Sequence, residues 1–464
     1  CKDCDEVKLA KDEQLPVNPL VDEPIGECEN CGATRFEPEE DVLDTWATSS
    51  LTPYISTGWI NESELFDKVF PFDLRPQSHD IISFWAFNTI VKSLFHSDKK
   101  PWDDIMIHGY LMLPGGKAFS SSKGIIIDPE EIAEEYGADT IRYLSGSNKP
   151  GEDGEFEKKW LKRGQRIRTK FWNLQKFIGR SIDEKIEEVP ELRTVDKWLL
   201  SKYSRLVNDA TEHMDEYRYD KALKEIEHFM WHVLADHYIE MIKHRIYREE
   251  DDAVRYTLYN VGLGITKLLA PFMCFITEEV YDRNYKEYEG KKSVHVSNWP
   301  KEILIDDEAE EQGEIIKDII AEIRNWKSEK GIPLNEEIGE IRIISSARGI
   351  KENEDDIVST IKAADITLIS SDDIDEKAVE IIPDYSSIGP KFKDKAEKIV
   401  KELKSTDPEE VSEALRSDGY EITMDGENHM ITEEDVDVKR SKVYKGEEVE
   451  TIDFENGVIL LERC

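Results

Sequence analysis

Cysteine is scarce in this sequence, with six in 464 residues. Four of them lie within the first 31 positions, and Cys274 and Cys464 stand alone. That usage excludes a disulfide-stapled extracellular scaffold; with no export signal in sight, it predicts a reducing cytoplasm. No run of about 18 apolar residues occurs, which excludes a helical membrane span and predicts no membrane partner. Positive charge is in deficit, with 61 Lys plus Arg against 101 Asp plus Glu and a formal charge of -40. Diffuse attraction to nucleic acid is thereby excluded. A polyanion would have to be met by basic residues kept at one place on an otherwise acidic surface. The chain opens on Cys1 rather than methionine, so its natural start is expected upstream. No internal repeat is evident.

The sequence does contain enough apolar residues, 39%, for about two to four globular domains. The early cysteines form two Cys-x-x-Cys pairs, Cys1 with Cys4 and Cys28 with Cys31, separated by 23 residues. Two such knuckles supply four thiolates, the ligand set of a closed tetrahedral structural Zn2+ site with no open position for catalysis. Two disulfides or free thiols are the alternatives.

Residues 42–60, "VLDTWATSSLTPYISTGWI", read as a strand-like start followed by small and aromatic residues. In "RPQSHDIISFWAFNTIVKSLF", Ile81, Ile82, Trp85, Ile90 and Leu94 recur at helical spacing. "WDDIMIHGYLML" reads as a strand feeding "GKAFSSSKGIIIDP", a loop of serines, glycines and lysines. Such a loop is either an ordinary connection or a cradle for phosphates, since hydroxyls, N–H groups and a lysine are what phosphates need. A helix follows, with Asp128 as N-cap, Pro129 in the first turn, Glu131 placed for a capping box and Gly137 at the end.

Residues 158–180, "KKWLKRGQRIRTKFWNLQKFIGR", hold nine Lys or Arg and no acid. Trp160, Ile167, Phe171, Leu174 and Ile178 fall on one helical face. The plain reading of the opposite face is a solvated surface. Its contrast with an acidic chain makes a phosphate-backbone contact the competing one. From about Asp196 to Asn325 the pattern is helical, with an apolar stripe of Ile226, Phe229, Met230, Val233, Leu234, Tyr238, Met241 and Ile242. His228, His232, His237 and His244 accompany that stripe at helical spacing and are expected to be core or surface residues rather than ligands. Beyond about 335, short strands and two helices predict a small α/β appendage.

Taken together these segments resemble one family. "AFSSSKGIIIDPEEIAEEYGADTIRYL" is similar to the Lys-Met-Ser-Lys-Ser loop and following helix of class I aminoacyl-tRNA synthetases. "DVLDTWATSSLTPYI" and "PFDLRPQSHDIISFWAF" resemble the valyl branch in its archaeal form. "DKWLLSKYSRL", "EIEHFMWHVLADHYIEMIKHRIY" and "LLAPFMCFITEEVY" resemble the anticodon-binding helices of that group, and "PDYSSIGPKFKDKAEKIV" resembles its C-terminal segment. The resemblance implies an α/β fold, part of a Rossmann-like catalytic domain, then an all-α bundle and a small α/β C-terminal domain. The expected boundaries are a zinc-knuckle segment at 1–40, the C-terminal half of the catalytic domain at 41–190, an anticodon-binding bundle at 191–330 and the last domain at 331–464.

The activity implied by the resemblance is ATP-dependent activation of valine and transfer to tRNA(Val), with ATP and Mg2+ entering as substrate. Ser120, Ser121, Ser122 and Lys123 would serve catalysis, and Lys117, Ser121, Lys123 and Gly124 would hold ATP phosphates as charge develops on pyrophosphate. Ala118 and Phe119 replace the family's usual Lys-Met, and Ser121 stands at the second-lysine position. Trp46, Asp80 and Ile81 would surround the amino acid, though core packing is the plainer role for them. Arg166, Lys170 and Lys176 represent the expected tRNA-binding face. No His-x-Gly-His motif occurs among the ten histidines. The family carries it in an N-terminal half expected as a missing partner, without which this chain should not activate valine. An isoleucyl relative and a stand-alone tRNA-binding module are the alternatives.

Overall fold

The computed structural model describes every residue except 62, 118, 120–127, 183, 249–250, 425 and 463–464. Two compact units are present, Cys1–Ala118 with Pro150–Phe156, and Phe119–Lys149 with Glu157–Cys464.

The first unit is built around a parallel pair of strands, Phe72–Ser78 and Trp102–His108, in register from Phe72 opposite Trp102 to Ser78 opposite His108. Parallel strands need a crossover, and the helix Phe87–Ser97 supplies it. Two short helices precede the pair. Asp44 caps the first, Thr45–Ser49, by accepting from the Trp46 N–H at 2.7 Å. Thr52–Thr57 ends at Gly58, whose φ of +70° lies where a Cβ would be strained. The strand-like start expected at Val42 is absent. Val42 and Leu43 are exposed and the cap at Asp44 turns the chain into a helix.

The stripe expected on the crossover helix is covered only in part, with Ile81 and Trp85 half-buried. Ala86, Thr89 and Ser93 are the buried positions, while Ile82, Ile90 and Leu94 face outward. Small residues allow Tyr54 to approach, and its hydroxyl donates to Ser93 Oγ at 3.0 Å.

The second unit opens with the helices Pro129–Tyr136 and Ala138–Ser147. Asp128 caps the first through the Glu130 N–H at 2.8 Å, without the expected reciprocal contact from Glu131. The basic helix Lys158–Ser181 follows, then Thr194–Asp215, Tyr219–His228, Ile239–Arg248, Asp252–Leu269, Cys274–Asn284 and Asp307–Glu329. Between His228 and Ile239 the helix widens to π geometry over Phe229–Tyr238. The basic helix buries Leu161, Ile167, Phe171, Leu174 and Ile178, so Leu161 rather than Trp160 completes its apolar face. The anticipated stripe from Ile226 to Ile242 is buried except for Val233, which is half-buried.

The expected boundary at 190 does not fall at a break in packing, because Tyr143, Ile167 and Phe171 share one core with Trp198, Leu234 and Leu268. Polar ties reinforce that join. The Asp139 carboxylate accepts from the N–H groups of Phe275 at 3.0 Å and Ile276 at 2.8 Å, capping the helix Cys274–Asn284 from a separate segment.

The C-terminal region forms a six-stranded sheet in the order Ile366–Leu368, Ile341–Ser345, Gly457–Glu462, Glu447–Phe454, Val436–Tyr444, Ile374–Pro383. Its first strands contribute Ile341, Ile343, Ile366 and Ile459 to the bundle's core. Ile381, Ile388, Ile399, Leu403, Val411 and Ile431 form a second core under the helices Tyr385–Phe392, Ala396–Ser405 and Pro408–Leu415. The single α/β appendage expected from 331 onward therefore holds two cores. Among the described residues, no helix is long and apolar enough to cross a membrane.

Candidate functional site

The four early cysteines converge. Cys1 Sγ lies 3.5 Å from Cys31 Sγ, and Cys4 Sγ lies 3.6 Å from Cys28 Sγ. All four sulfurs fall within 4.8 Å of one another. Disulfide sulfurs would be about 2.05 Å apart, so these are thiols. Four thiolates at about 2.3 Å from a common ion have edges of about 3.8 Å, close to what is observed. The residues thus fit a tetrahedral metal. Tight turns present them. Gly32, at φ +73°, donates to Cys28 O at 2.9 Å, and the Asp5 N–H donates to Cys1 O at 2.9 Å. The Cys31 and Asn30 N–H groups hold the Cys28 thiol below its ordinary value. An Ala33 N–H acts likewise on Cys31, but the neighbouring sulfurs of Cys4 and Cys28 raise that thiol on balance.

At the C-terminal end of strand Phe72–Ser78 lies the amino-acid candidate, where open α/β sheets place ligands. Asp80 is exposed. The Tyr110 hydroxyl holds its carboxyl below the usual carboxylate range, and Asp80 in turn pushes the Tyr110 hydroxyl up. Trp46 stacks on Phe84 with ring centroids 5.7 Å apart and planes 19° apart. Ile81, half-buried, ends the short turn His79–Ile81 just before Phe84. Ile81 and Phe84 thus follow Asp80 closely in sequence, and Trp46 is brought to Phe84 from a separate helix.

Sequence reasoning missed several neighbours. Trp85 Nε1 donates to Ser49 O at 2.8 Å, and the Arg75 guanidinium stacks over the Trp85 ring. Burial lowers Arg75 to about 10. Gln77 is buried on the same strand face with neither amide atom paired among the described residues. Alternation along a strand places residues 75 and 77 on one side. That signal was present in "RPQSHD", but it does not say which side is covered.

Ser120, Ser121, Ser122, Lys123 and Gly124 lie outside the described residues. Lys117 is exposed on a turn in which the Leu113 N–H donates to its carbonyl at 2.7 Å, with Gly115 and Gly116 at φ +82° and +73°.

On the basic helix, Lys162, Arg166, Thr169, Asn173, Lys176 and Arg180 alternate in steps of four and three, which keeps them on one face. Arg166 and Lys176 are exposed and make no ion pair among the described residues. Lys170 departs from the expectation. It is half-buried, 3.0 Å from Asp236 Oδ1 and over the Trp231 ring at 5.0 Å, so it is committed to packing against the π segment. Arg163 pairs with Glu227 at 2.8 Å, and Arg168 donates to Tyr136 O at 2.9 Å. The basic residues therefore divide into inward ties and an outward stripe.

Residues 4–157 match the family model of class I tRNA synthetases (I, L, M and V), and residues 196–344 match that of the anticodon-binding domain of tRNA ligases. Residues 4–157 thus resemble the class I tRNA synthetases, and residues 196–344 resemble the anticodon-binding domains of tRNA ligases. The chain is similar to valine–tRNA ligases. It is 38% identical over 480 residues to that of Methanopyrus kandleri, covering 99% of this chain and 51% of the relative. Against that of Pyrococcus furiosus it is 38% identical over 472 residues, covering 97% and 53%. The chain spans about half the length of these curated relatives. A solved ternary complex of a leucyl enzyme, LeuRS-tRNA-LeuAMS from Agrobacterium radiobacter K84, is 17% identical with a TM-score of 0.48, covering 61% of this chain and 35% of that one.

Proposed function

We propose that this chain is the C-terminal half of a valine–tRNA ligase, acting with an N-terminal half that carries the remainder of the ATP site. The observation that carries the reading is the near end-to-end similarity to valine–tRNA ligases, spanning both a catalytic and an anticodon-binding segment. In this reading Trp46 and Ile81 wall a small apolar pocket for the valine side chain. Asp80, held below the usual carboxylate range by the Tyr110 hydroxyl, attracts the ammonium group. Such a pocket separates substrates differing by one methylene by only about 1–3 kcal/mol.

The reaction joins the valine carboxylate to the α-phosphorus of ATP, supplied with Mg2+, and expels pyrophosphate. Lys123, with Ser120, Ser121, Ser122 and Gly124, would meet the charge that develops there; Lys117 stands beside the same loop. Cys1, Cys4, Cys28 and Cys31 would hold a structural Zn2+, which fixes the fold of the first segment and takes no part in the chemistry. tRNA(Val) would be positioned by the outward stripe of the basic helix, with Arg166 and Lys176 at its centre, while the bundle reads the anticodon. Lys170 would support that stripe rather than touch RNA. The setting is the cytoplasm.

The test is to supply the N-terminal half, fused or co-expressed, and measure charging. Valine-dependent charging of tRNA(Val) is expected. Charging with isoleucine, or RNA binding without charging under any pairing, would overturn the proposal.

A further inference from the structure

One of the four histidines set aside along the bundle does not behave as a satisfied core residue. His244, on the helix Ile239–Arg248, has a side chain only 6% exposed, yet neither ring nitrogen has a hydrogen-bond partner among the described residues. Its Nε2 nevertheless stands 3.2 Å from Asp356 Oδ1 and 3.6 Å from Asp355 Oδ2. A ring nitrogen that close to a carboxylate oxygen fails to hydrogen-bond only when the oxygen lies off the nitrogen's own axis. Ligand atoms around a shared ion sit in this way. With bonds of about 2.1 Å, adjacent donors are about 3.0–3.4 Å apart, and each lone pair aims at the ion between them rather than at its neighbour.

We propose that His244, Asp355 and Asp356 form a divalent transition-metal site, independent of the cysteine cluster and of the proposed activity. One imidazole with two carboxylates suits Mn2+, Fe2+, Co2+ or Zn2+ rather than a thiophilic ion. The donors sit on packed elements. Ile242 on the histidine's helix and Ile357 and Ile361 on the aspartates' helix, Glu354–Ile361, share one core. Asp356 is 2% exposed and Asp355 is 67% exposed, so water reaches the open positions from the Asp355 side. The ion would pin the helix Glu354–Ile361 to the bundle.

Arg193 is the competitor. Its Nη1 lies 3.2 Å from Asp355 Oδ2 and 3.3 Å from Asp356 Oδ1. With no ion bound, the guanidinium neutralises the same oxygens. Being 45% exposed, it has water to move into when an ion displaces it. Since Nδ1 has no acceptor to raise the ring's basicity, affinity is set below that of a closed structural site.

The test uses the full chain stripped with a chelator and titrated with Mn2+, which prefers oxygen and nitrogen donors over thiolates. Free Mn2+ is read by electron paramagnetic resonance in physiological salt, which screens loose binding to the acidic surface. About one Mn2+ per chain should bind to the wild type, and Asp355→Asn, an exposed change compatible with folding, should lose it. Arg193→Gln should bind about thirtyfold tighter, the weight of one unit charge removed at about 4 Å from a divalent ion in a water-like medium. Mn2+ should also raise the melting temperature of the wild type and not that of Asp355→Asn. Binding in the wild type no greater than in Asp355→Asn, or no tightening in Arg193→Gln, would overturn the site. So would a chain that takes no Mn2+, which would leave the cluster as an ion pair of Arg193 with the two aspartates.

Discussion

If the outward stripe of the basic helix meets tRNA, neutralising Arg166 and Lys176 together should change the salt dependence of binding by a calculable amount. From Lys162 to Arg180, with Arg166 and Lys176 between them, the face advances 18 residue steps, or about 27 Å at 1.5 Å per step, long enough to follow several phosphates. Each phosphate neutralised contributes about -0.9 to the slope of log K against log salt concentration, so four contacts give about -3.6. Arg166→Gln with Lys176→Gln should bring that to about -1.8, and the affinity lost between 50 and 200 mM salt should shrink about twelvefold. The assay is tRNA binding at a series of salt concentrations, with circular dichroism to show that the helix is intact. Both side chains are exposed, so the core contacts of Ile167, Phe171 and Ile178 are untouched. Lys170→Gln is the control. It breaks the ion pair with Asp236 and should lower the melting temperature while leaving the slope alone. An unchanged slope in the double variant, or a slope that tracks Lys170 instead, would return the stripe to a solvated surface.

Three further outcomes can be measured. Purified protein in reducing buffer should carry about one zinc per chain, and Cys4→Ser or Cys31→Ser should release it and open the first segment to protease; full-length chain free of zinc would refute the metal assignment. In the completed enzyme, Lys123→Ala should slow valine-dependent pyrophosphate exchange about tenfold or more, since a charge-assisted contact is worth about 1.5–3 kcal/mol. If Lys117→Ala abolishes exchange while Lys123→Ala does not, the acting lysine is the other one. Burial pushes Glu314 up, but donation from Lys317, Lys202 and Trp198 Nε1 brings it down to about 2. Its folded value lies below its ordinary 4.5, so its stabilisation is full above that value and disappears as pH falls through about 2. Glu314→Gln should therefore be less stable near neutrality and lose less on acidification through that window, measured by denaturant midpoints; an equal loss in both proteins would show that Glu314 is not the group titrating.

Some of this was legible in the sequence because the relevant physics is local. The convergence of the four cysteines was legible because two Cys-x-x-Cys pairs on tight turns can bring four sulfurs together. The basic helix was legible because a period of 3.6 with no acid needs no knowledge of its neighbours, and its buried side came out nearly as read, with Leu161 in place of Trp160. The crossover helix was misread for the opposite reason. Its large apolar residues have the right period, but which side is buried depends on what packs there, and Tyr54 takes the side of Ala86, Thr89 and Ser93. Likewise nothing near residue 190 announces that Asp139 caps a helix beginning at Cys274, more than a hundred residues away.

The same distinction decides how an acidic chain can keep a positive face. Composition alone counts nine basic residues between 158 and 180 as equivalent, yet packing does not. Arg163 and Lys170 are matched by Glu227 and Asp236, which the bundle presents from its own helices. Each such pair removes a positive charge from the external field and uses it to hold the helix in place. The charge left to act at a distance is the unpaired remainder, and it lies on the one face turned away from those acids. With a total charge of -40 around it, attraction falls off within about a Debye length, roughly 8–10 Å at physiological salt. A polyanion would feel the stripe only on close approach. Binding through it should therefore be slower to form at low concentration, and more sensitive to where the charges sit, than binding to a uniformly basic protein.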